Sequence, residues 1–132
     1  TISEVIKKVK PQIVYCPPPL DINQDHSVVF DATRVAARSL PGSPLQELIS
    51  YEIPTTTRYL DQASGFFIPN YYMNITTQFK GKLRAMEIYK SELKKYPHPR
   101  SLEGLEILNK ERGLAIGVKY AEAFNIIKKI QR

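Results

Sequence analysis

No apolar run in these 132 residues approaches the roughly 20 positions that a helix needs to cross a bilayer. A single cysteine, Cys16, excludes an internal disulfide and fits a reducing compartment. Histidine is scarce too, with only His26 and His98. No secretory leader pattern is visible, so the expected setting is cytoplasmic. There is no initiator Met, and a helix-like pattern follows Thr1 at once. Natural termini are usually frayed and polar, so this start reads as a cut inside a domain.

What is present is a chain of one-domain length with room for a core. Its 42% hydrophobic and 24% charged residues are an ordinary balance for a folded domain. The net charge of +6 raises nucleic acid as a partner. The basic residues are scattered, however, in helix-spaced groups: Lys7, Lys8 and Lys10; Lys80, Lys82 and Arg84; then Lys94, Lys95, Lys128, Lys129 and Arg132. Glu87, Glu92 and Glu122 are interleaved with them. Solvated helix faces explain that pattern, and no aromatic-and-glycine RNA-binding signature occurs.

Apolar spacing lays out the elements. Ile2, Val5, Ile6 and Val9 recur at helical spacing until Pro11. Ile13 to Cys16 reads as a short buried strand, followed by a stiff loop at Pro17-Pro18-Pro19. Ser27 to Arg38 reads as a helix with Val28, Ala32, Val35 and Ala36 as its apolar stripe. Leu48 to Ile53 is a second strand, and Thr55 to Gly65 a polar loop. Phe66 to Ile68 and Tyr71 to Ile75 look extended. Thr76 is then a candidate N-cap for a helix facing inward through Phe79, Leu83, Met86, Tyr89 and Leu93. Ser101 caps a further helix through Glu111 or Arg112, with Leu102, Leu105 and Leu108 inward. Gly113 and Gly117 mark a turn, and Ile126, Ile127 and Ile130 close the chain as either helix or strand. Strand and helix in alternation argue for a layered α/β sandwich.

Chemistry concentrates in Asp21-Ile22-Asn23-Gln24-Asp25-His26. The segment lies at the carboxyl end of the first strand, where open α/β sheets bind ligands. Imidazole with carboxylate suits zinc or a similar divalent ion. A catalytic zinc needs about three protein ligands, and His26 is the one good ligand here, so the cluster reads as part of a metal site. The plainer reading makes Asp21 and Asp25 helix caps and His26 a solvated ring. Cys16 reads as a small buried apolar residue.

The run Ile13-Val14-Tyr15, then Asp21-x-Asn23-x-Asp25-His26, resembles the second metal-site motif of the LmbE-like, or PIG-L, zinc-dependent de-N-acetylases. The tail is similar to the closing segment of one branch of that family: His98-Pro99-Arg100-Ser101-Leu102-Glu103, Arg112-Gly113, and Gly117 through Phe124. The resemblance implies a Rossmann-like three-layer α/β/α sandwich with a mostly parallel sheet, of which residues 1–132 form the C-terminal part. It implies zinc held by His26 and by an early His-Pro-Asp-Asp motif. That motif is absent here, since His98-Pro99 is followed by Arg100. The implied reaction is removal of the N-acetyl group from an amino sugar or its conjugate. Tyr120 would donate to the developing oxyanion, and the proton-accepting aspartate would belong to the missing motif. Asp25, as a catalytic carboxylate, or a backbone carbonyl would hold the free nitrogen of the His26 ring. Asn23, His98 and Arg100 would contact substrate, the guanidinium suiting a phosphate or carboxylate. Asn23 stands where many relatives place a histidine, and Pro17 where many place another.

The implied partners are the N-acetylated substrate and the missing N-terminal half of the domain, with a homo-oligomer left open and no membrane span. Two other classes stay in view: a non-catalytic α/β interaction module, and less strongly a basic nucleic-acid binder.

Overall fold

The computed structural model describes residues 1–59, 62–63 and 65–131; part of the loop expected over Thr55 to Gly65, and Arg132 among the basic residues, lie outside the described residues. In chain order the elements are helix α1 (Ile2–Val9), strand β1 (Ile13–Cys16), helix α2 (Gln24–Ala36), strands β2 (Glu47–Tyr51) and β3 (Tyr71–Asn74), helices α3 (Phe79–Ile88) and α4 (Leu102–Leu114), and strand β4 (Ala121–Lys129). The strands form one four-stranded sheet in the order β1-β2-β4-β3. The chain divides into two compact units: Thr1–Asn70 with the closing strand from Phe124 onward, and Tyr71–Ala123.

The fold is α/β, but the sheet is mixed rather than mostly parallel. β1 and β2 run parallel, with Ile13 opposite Glu47 and Cys16 opposite Ser50. β2 and β4 run antiparallel, from Glu47 opposite Lys129 to Tyr51 opposite Phe124. The reason lies in the connections. α2 carries the chain back to the end where β1 began, which is what a parallel neighbour requires. β4, reached only after α4, enters from the other end. Ile126 and Ile127 are therefore strand and Ile130 lies just past its end, which decides the helix-or-strand choice that spacing left open.

In the first unit, α1 starts with a capping box: the Thr1 hydroxyl accepts from the Glu4 backbone N–H, and the Glu4 carboxylate accepts from the Thr1 ammonium. It ends at Lys10, whose left-handed backbone (φ 51°) closes the helix one residue before Pro11. Cys16, Phe30, Ala37, Leu45 and Leu48 make the core, with Ile6, Val14 and Ile127 against it. A bulge lets Ile127 contribute: Leu48 faces Lys128 while Ile49 faces Ile126, leaving one extra residue on β4.

Two sequence readings of α2 need correction. The helix begins at Gln24 instead of Ser27, because Asn23 caps it by accepting from the Asp25 N–H at 3.2 Å. Apolar periodicity cannot register a polar first turn. Its buried positions are Phe30 and Thr33, whereas Val28 (67%) and Val35 (55%) of the expected stripe are exposed. The inward face is set by the aromatic ring, which removes more area from water than a valine does.

In the second unit, Ile75, Phe79 and Tyr120 form a small core with Leu83 beside it. Thr76 does not cap α3. Gln78 occupies that position without a side-chain bond, and the Thr76 hydroxyl instead accepts from the Tyr120 N–H at 3.3 Å. The expected α3 face stops at Met86, since Tyr89 lies past the helix end and is exposed. Ser101 caps α4 as its sequence suggests, accepting from the Gly104 N–H at 2.9 Å, with Leu105 and Leu108 buried.

Candidate functional site

The Asp21–His26 segment folds around a carboxylate. The Asp21 side chain is fully buried, and burying a charge is tolerable only when it is hydrogen-bonded. Three partners meet that need. The His26 Nδ1 lies 2.8 Å from Oδ2, the Thr56 hydroxyl donates to the same oxygen at 2.6 Å, and the Asn23 backbone N–H donates to Oδ1 at 2.8 Å. Thr56 comes from the turn after β2, so the loops leaving the carboxyl ends of two parallel strands converge here, as open α/β sheets favour.

His26 sits in the first turn of α2 with its side chain 28% exposed. Asn23 uses its carbonyl oxygen on the Asp25 N–H, which leaves the amide nitrogen 3.4 Å from the His26 Nε2. Asp25 is exposed in the same first turn, where a carboxylate suits the positive end of the helix dipole. The carboxylate that holds the His26 ring is thus Asp21 and not Asp25. Spacing gave no reason to choose between them, because the two aspartates flank the cap residue on either side. Thr56 carried no signal in the sequence at all.

The same end of the sheet holds Cys16 and Ser50, both buried. The Cys16 thiol donates to the Ile49 carbonyl at 3.6 Å, and burial pushes its pKa up to about 11, so it stays a protonated thiol. The Ser50 hydroxyl is buried without a hydrogen-bond partner.

The remaining predicted residues belong to the second unit. Tyr120 lies just before β4 with its ring stacked on Phe79, centroids 3.8 Å apart. Its hydroxyl donates to Glu106 at 3.0 Å. Burial first, and then that bond, raises the Tyr120 pKa, so the phenol keeps its proton. Lys110 first, and then Tyr120, lowers the Glu106 pKa. His98 and Arg100 lie in the turn before α4, where the Arg100 backbone N–H donates to His98 Nδ1 at 3.0 Å. The Arg100 guanidinium pairs with Glu92, while its Nε is buried without a partner.

This turn explains the tail pattern physically. A Cβ on Gly104 would fall 2.7 Å from the Pro99 carbonyl oxygen, and one on Gly113 would fall 2.5 Å from that of Val118. Both glycines are required by close backbone approach.

Among the described residues no three His, Cys, Asp or Glu side chains are grouped to hold a metal ion, and no helix is long and apolar enough to cross a membrane. The donor set fits zinc as one arm of a site: a buried carboxylate holds one nitrogen of a partly exposed imidazole, and the other faces only the Asn23 amide.

No family model matches the chain, and no curated protein sequence matches it. Solved structures do. A conserved protein of Thermus thermophilus is 19% identical with a TM-score of 0.73, covering 99% of this chain and 58% of its own. The 4-carboxy-2-hydroxymuconate hydratase of Pseudomonas putida is 14% identical with a TM-score of 0.68, over 99% of this chain and 58% of the hydratase. The N,N'-diacetylchitobiose deacetylase of Pyrococcus horikoshii is 20% identical with a TM-score of 0.64, over 96% of this chain and 49% of the deacetylase. At such identities the likeness is one of fold. The chain spans about half to three-fifths of the length of these structures.

Proposed function

We propose that this chain supplies one arm of a zinc-dependent hydrolase site that removes the N-acetyl group from an amino sugar or its conjugate. It would be the C-terminal part of a Rossmann-like three-layer domain. The observation that carries the reading is the His26 ring in the loop-to-helix segment after β1, with Nδ1 against a buried carboxylate and Nε2 facing the Asn23 amide nitrogen at 3.4 Å. The deacetylase among the structural neighbours supports the choice of reaction, though the same fold serves a hydratase, and fold alone does not select chemistry.

In this reading His26 is the metal ligand. A bound zinc would polarise the amide carbonyl and lower the pKa of its water toward ~7. The protein's own groups do the rest. Asp25, exposed beside His26, would act as the catalytic carboxylate. Asn23 would contact substrate through its amide once that amide leaves the ring. By the resemblance, the Tyr120 phenol, which keeps its proton in the second unit, would serve as an oxyanion donor, and His98 and Arg100 would bind substrate.

Metal analysis with a deacetylation assay on N-acetylated amino sugars tests this directly. His26→Ala should sharply lower both zinc content and rate in the zinc-loaded protein. Full zinc occupancy and rate in that variant would refute the reading.

A second reading, a non-catalytic α/β interaction module, is favoured by the engagement of Tyr120 and Arg100 in the fold's own bonds. Retention of a partner complex by His26→Ala and Tyr120→Phe, with no hydrolysis by the unaltered protein, would support it.

A further inference from the structure

We propose that Asp21 and Thr56 are positioning residues that fix which nitrogen His26 presents. The inference rests on the reading of His26 as a ligand; it gives Asp21 a defined role and adds Thr56, which the sequence did not place at the site. Both Asp21 oxygens already accept, Oδ1 from the Asn23 N–H and Oδ2 from the Thr56 hydroxyl, so the 2.8 Å contact with Nδ1 assigns the imidazole proton to Nδ1. In the neutral ring Nε2 is then a bare lone pair. Asn23 agrees independently. Its carbonyl oxygen is committed to the Asp25 N–H, so the group left facing Nε2 at 3.4 Å is an N–H donor, which suits a lone pair. Two neighbours on opposite sides of the ring thus select the same tautomer.

Thr56 gives Asp21 its own anchor. The hydroxyl arrives from a residue 35 positions further along the chain and donates to the same oxygen that takes the imidazole proton. Its turn is held by the Thr57 N–H on the Ile53 carbonyl at 3.3 Å and the Arg58 N–H on the Thr55 carbonyl at 3.0 Å. Thr55 itself is buried. Orientation therefore passes from the turn after β2, through Thr56 and Asp21, to the ring in the first turn of α2. A ring without this anchor could rotate and present Nδ1 instead, at a different reach.

The test uses the full-length protein labelled with ¹⁵N-histidine, at a pH where the ring nitrogen shifts themselves show the neutral form. Long-range proton–nitrogen spectra report the tautomer of His26. The unaltered chain should show the proton on Nδ1 in most molecules. Asp21→Ala should shift His26 to a mixture or to the opposite tautomer. Thr56→Val should move it part of the way, and Thr56→Ser should restore it. Identical populations in the unaltered chain, Asp21→Ala and Thr56→Val overturn the proposal. If Asp21→Ala does not fold, the Val and Ser pair at Thr56 decides it on the same criterion.

Titration with zinc alone separates this proposal from the metal reading. Loss of a residue that orients a ligand typically weakens metal binding by about 10- to 100-fold. A tautomer shift accompanied by that loss supports both ideas. A tautomer shift with zinc binding untouched leaves the positioning intact and removes His26 as a ligand. An unmoved tautomer removes the positioning whatever zinc does.

Discussion

The two units hold their polar residues to different purposes. In the second, each conspicuous residue of the tail pattern is already committed to local structure. Ser101 caps α4, Gly113 (like Gly104 beside the pattern) admits a passing carbonyl, Arg100 pairs with Glu92, and Tyr120 stacks on Phe79 and bonds Glu106. In the first, the bonds around Asp21 converge on a ring and stop there, with Nε2 facing an amide that a stronger partner could displace. The contrast teaches that a recognisable sequence pattern can mark backbone requirements while a plainer cluster holds the chemistry. Stability should therefore be concentrated in the tail pattern, and ligand chemistry around His26.

The largest expected effect follows from that division. Gly113→Ala places a methyl group 2.5 Å from the Val118 carbonyl oxygen, a backbone atom that cannot swing aside. Overpacking of this kind costs typically about 1–3 kcal/mol, and the upper end is expected here. His26→Ala takes one of three partners from the fully buried Asp21 carboxylate and should cost about 1 kcal/mol, still below the Gly113→Ala loss. Urea denaturation of both variants measures the difference. Equal losses would abolish the distinction between a structural tail and a chemical cluster.

Tyr120 sharpens it from the other side. As an oxyanion donor, Tyr120→Phe should lower kcat by roughly 10²-fold with little change in KM, since the interaction is made mainly in the transition state. The Phe79 stack survives the change, so fold and zinc content should hold. Unchanged kcat on an N-acetylated amino sugar would return Tyr120 wholly to packing. That outcome would make the second unit structural throughout.

How much of this could be read from residue order depends on the kind of bond. β1, its parallel pairing with β2, and the Ser101 cap were legible from the strand-helix-strand alternation and a serine before leucines. But β1 is not the buried strand expected, since Ile13 and Tyr15 are exposed. The mixed sheet was not, because the direction of β4 is set by connections that spacing does not encode. The Asp21–His26 cluster was visible as composition, but its inner partner was not. Asp21 and Asp25 flank Asn23 symmetrically in sequence, and only the turn of α2 puts one beneath the ring and the other outside. Thr56 was invisible, since a hydroxyl 35 residues away has no local signature.

A smaller effect concerns the basic surface. Lys82 pairs with Glu122, Lys110 with Glu106 and Lys129 with Glu47, so part of the positive charge is answered locally. Lys82→Met should cost only about 0.5 kcal/mol, and less in high salt. Nucleic-acid affinity that fell steeply with salt would reopen the basic-binder reading, because counterion release is the signature of phosphate contacts.

The smallest expected effect tests whether everything near His26 is chemical. Cys16 ends β1, one proline-rich loop before Asp21, and its thiol is 1% exposed. Burial raises its pKa to about 11 from an ordinary value of 9.0. The sign follows from the charged form being the disfavoured one. Below about pH 9 the thiol is neutral in both folded and unfolded chains, and the contribution to stability is fully present. As the pH rises toward about 11 the unfolded chain ionises first, and the contribution is lost. Burial also raises the Tyr51 pKa, with Cys16 adding to it, so Cys16→Ala is the control that isolates the thiol. Melting temperatures on either side of pH 9 should fall more steeply for the unaltered chain than for Cys16→Ala. Iodoacetamide near neutral pH should leave the native thiol intact and modify it readily in urea, since the reactive species is the thiolate. Rapid alkylation of the native chain would show an activated cysteine, and the chemical cluster would then extend from His26 back to the strand end.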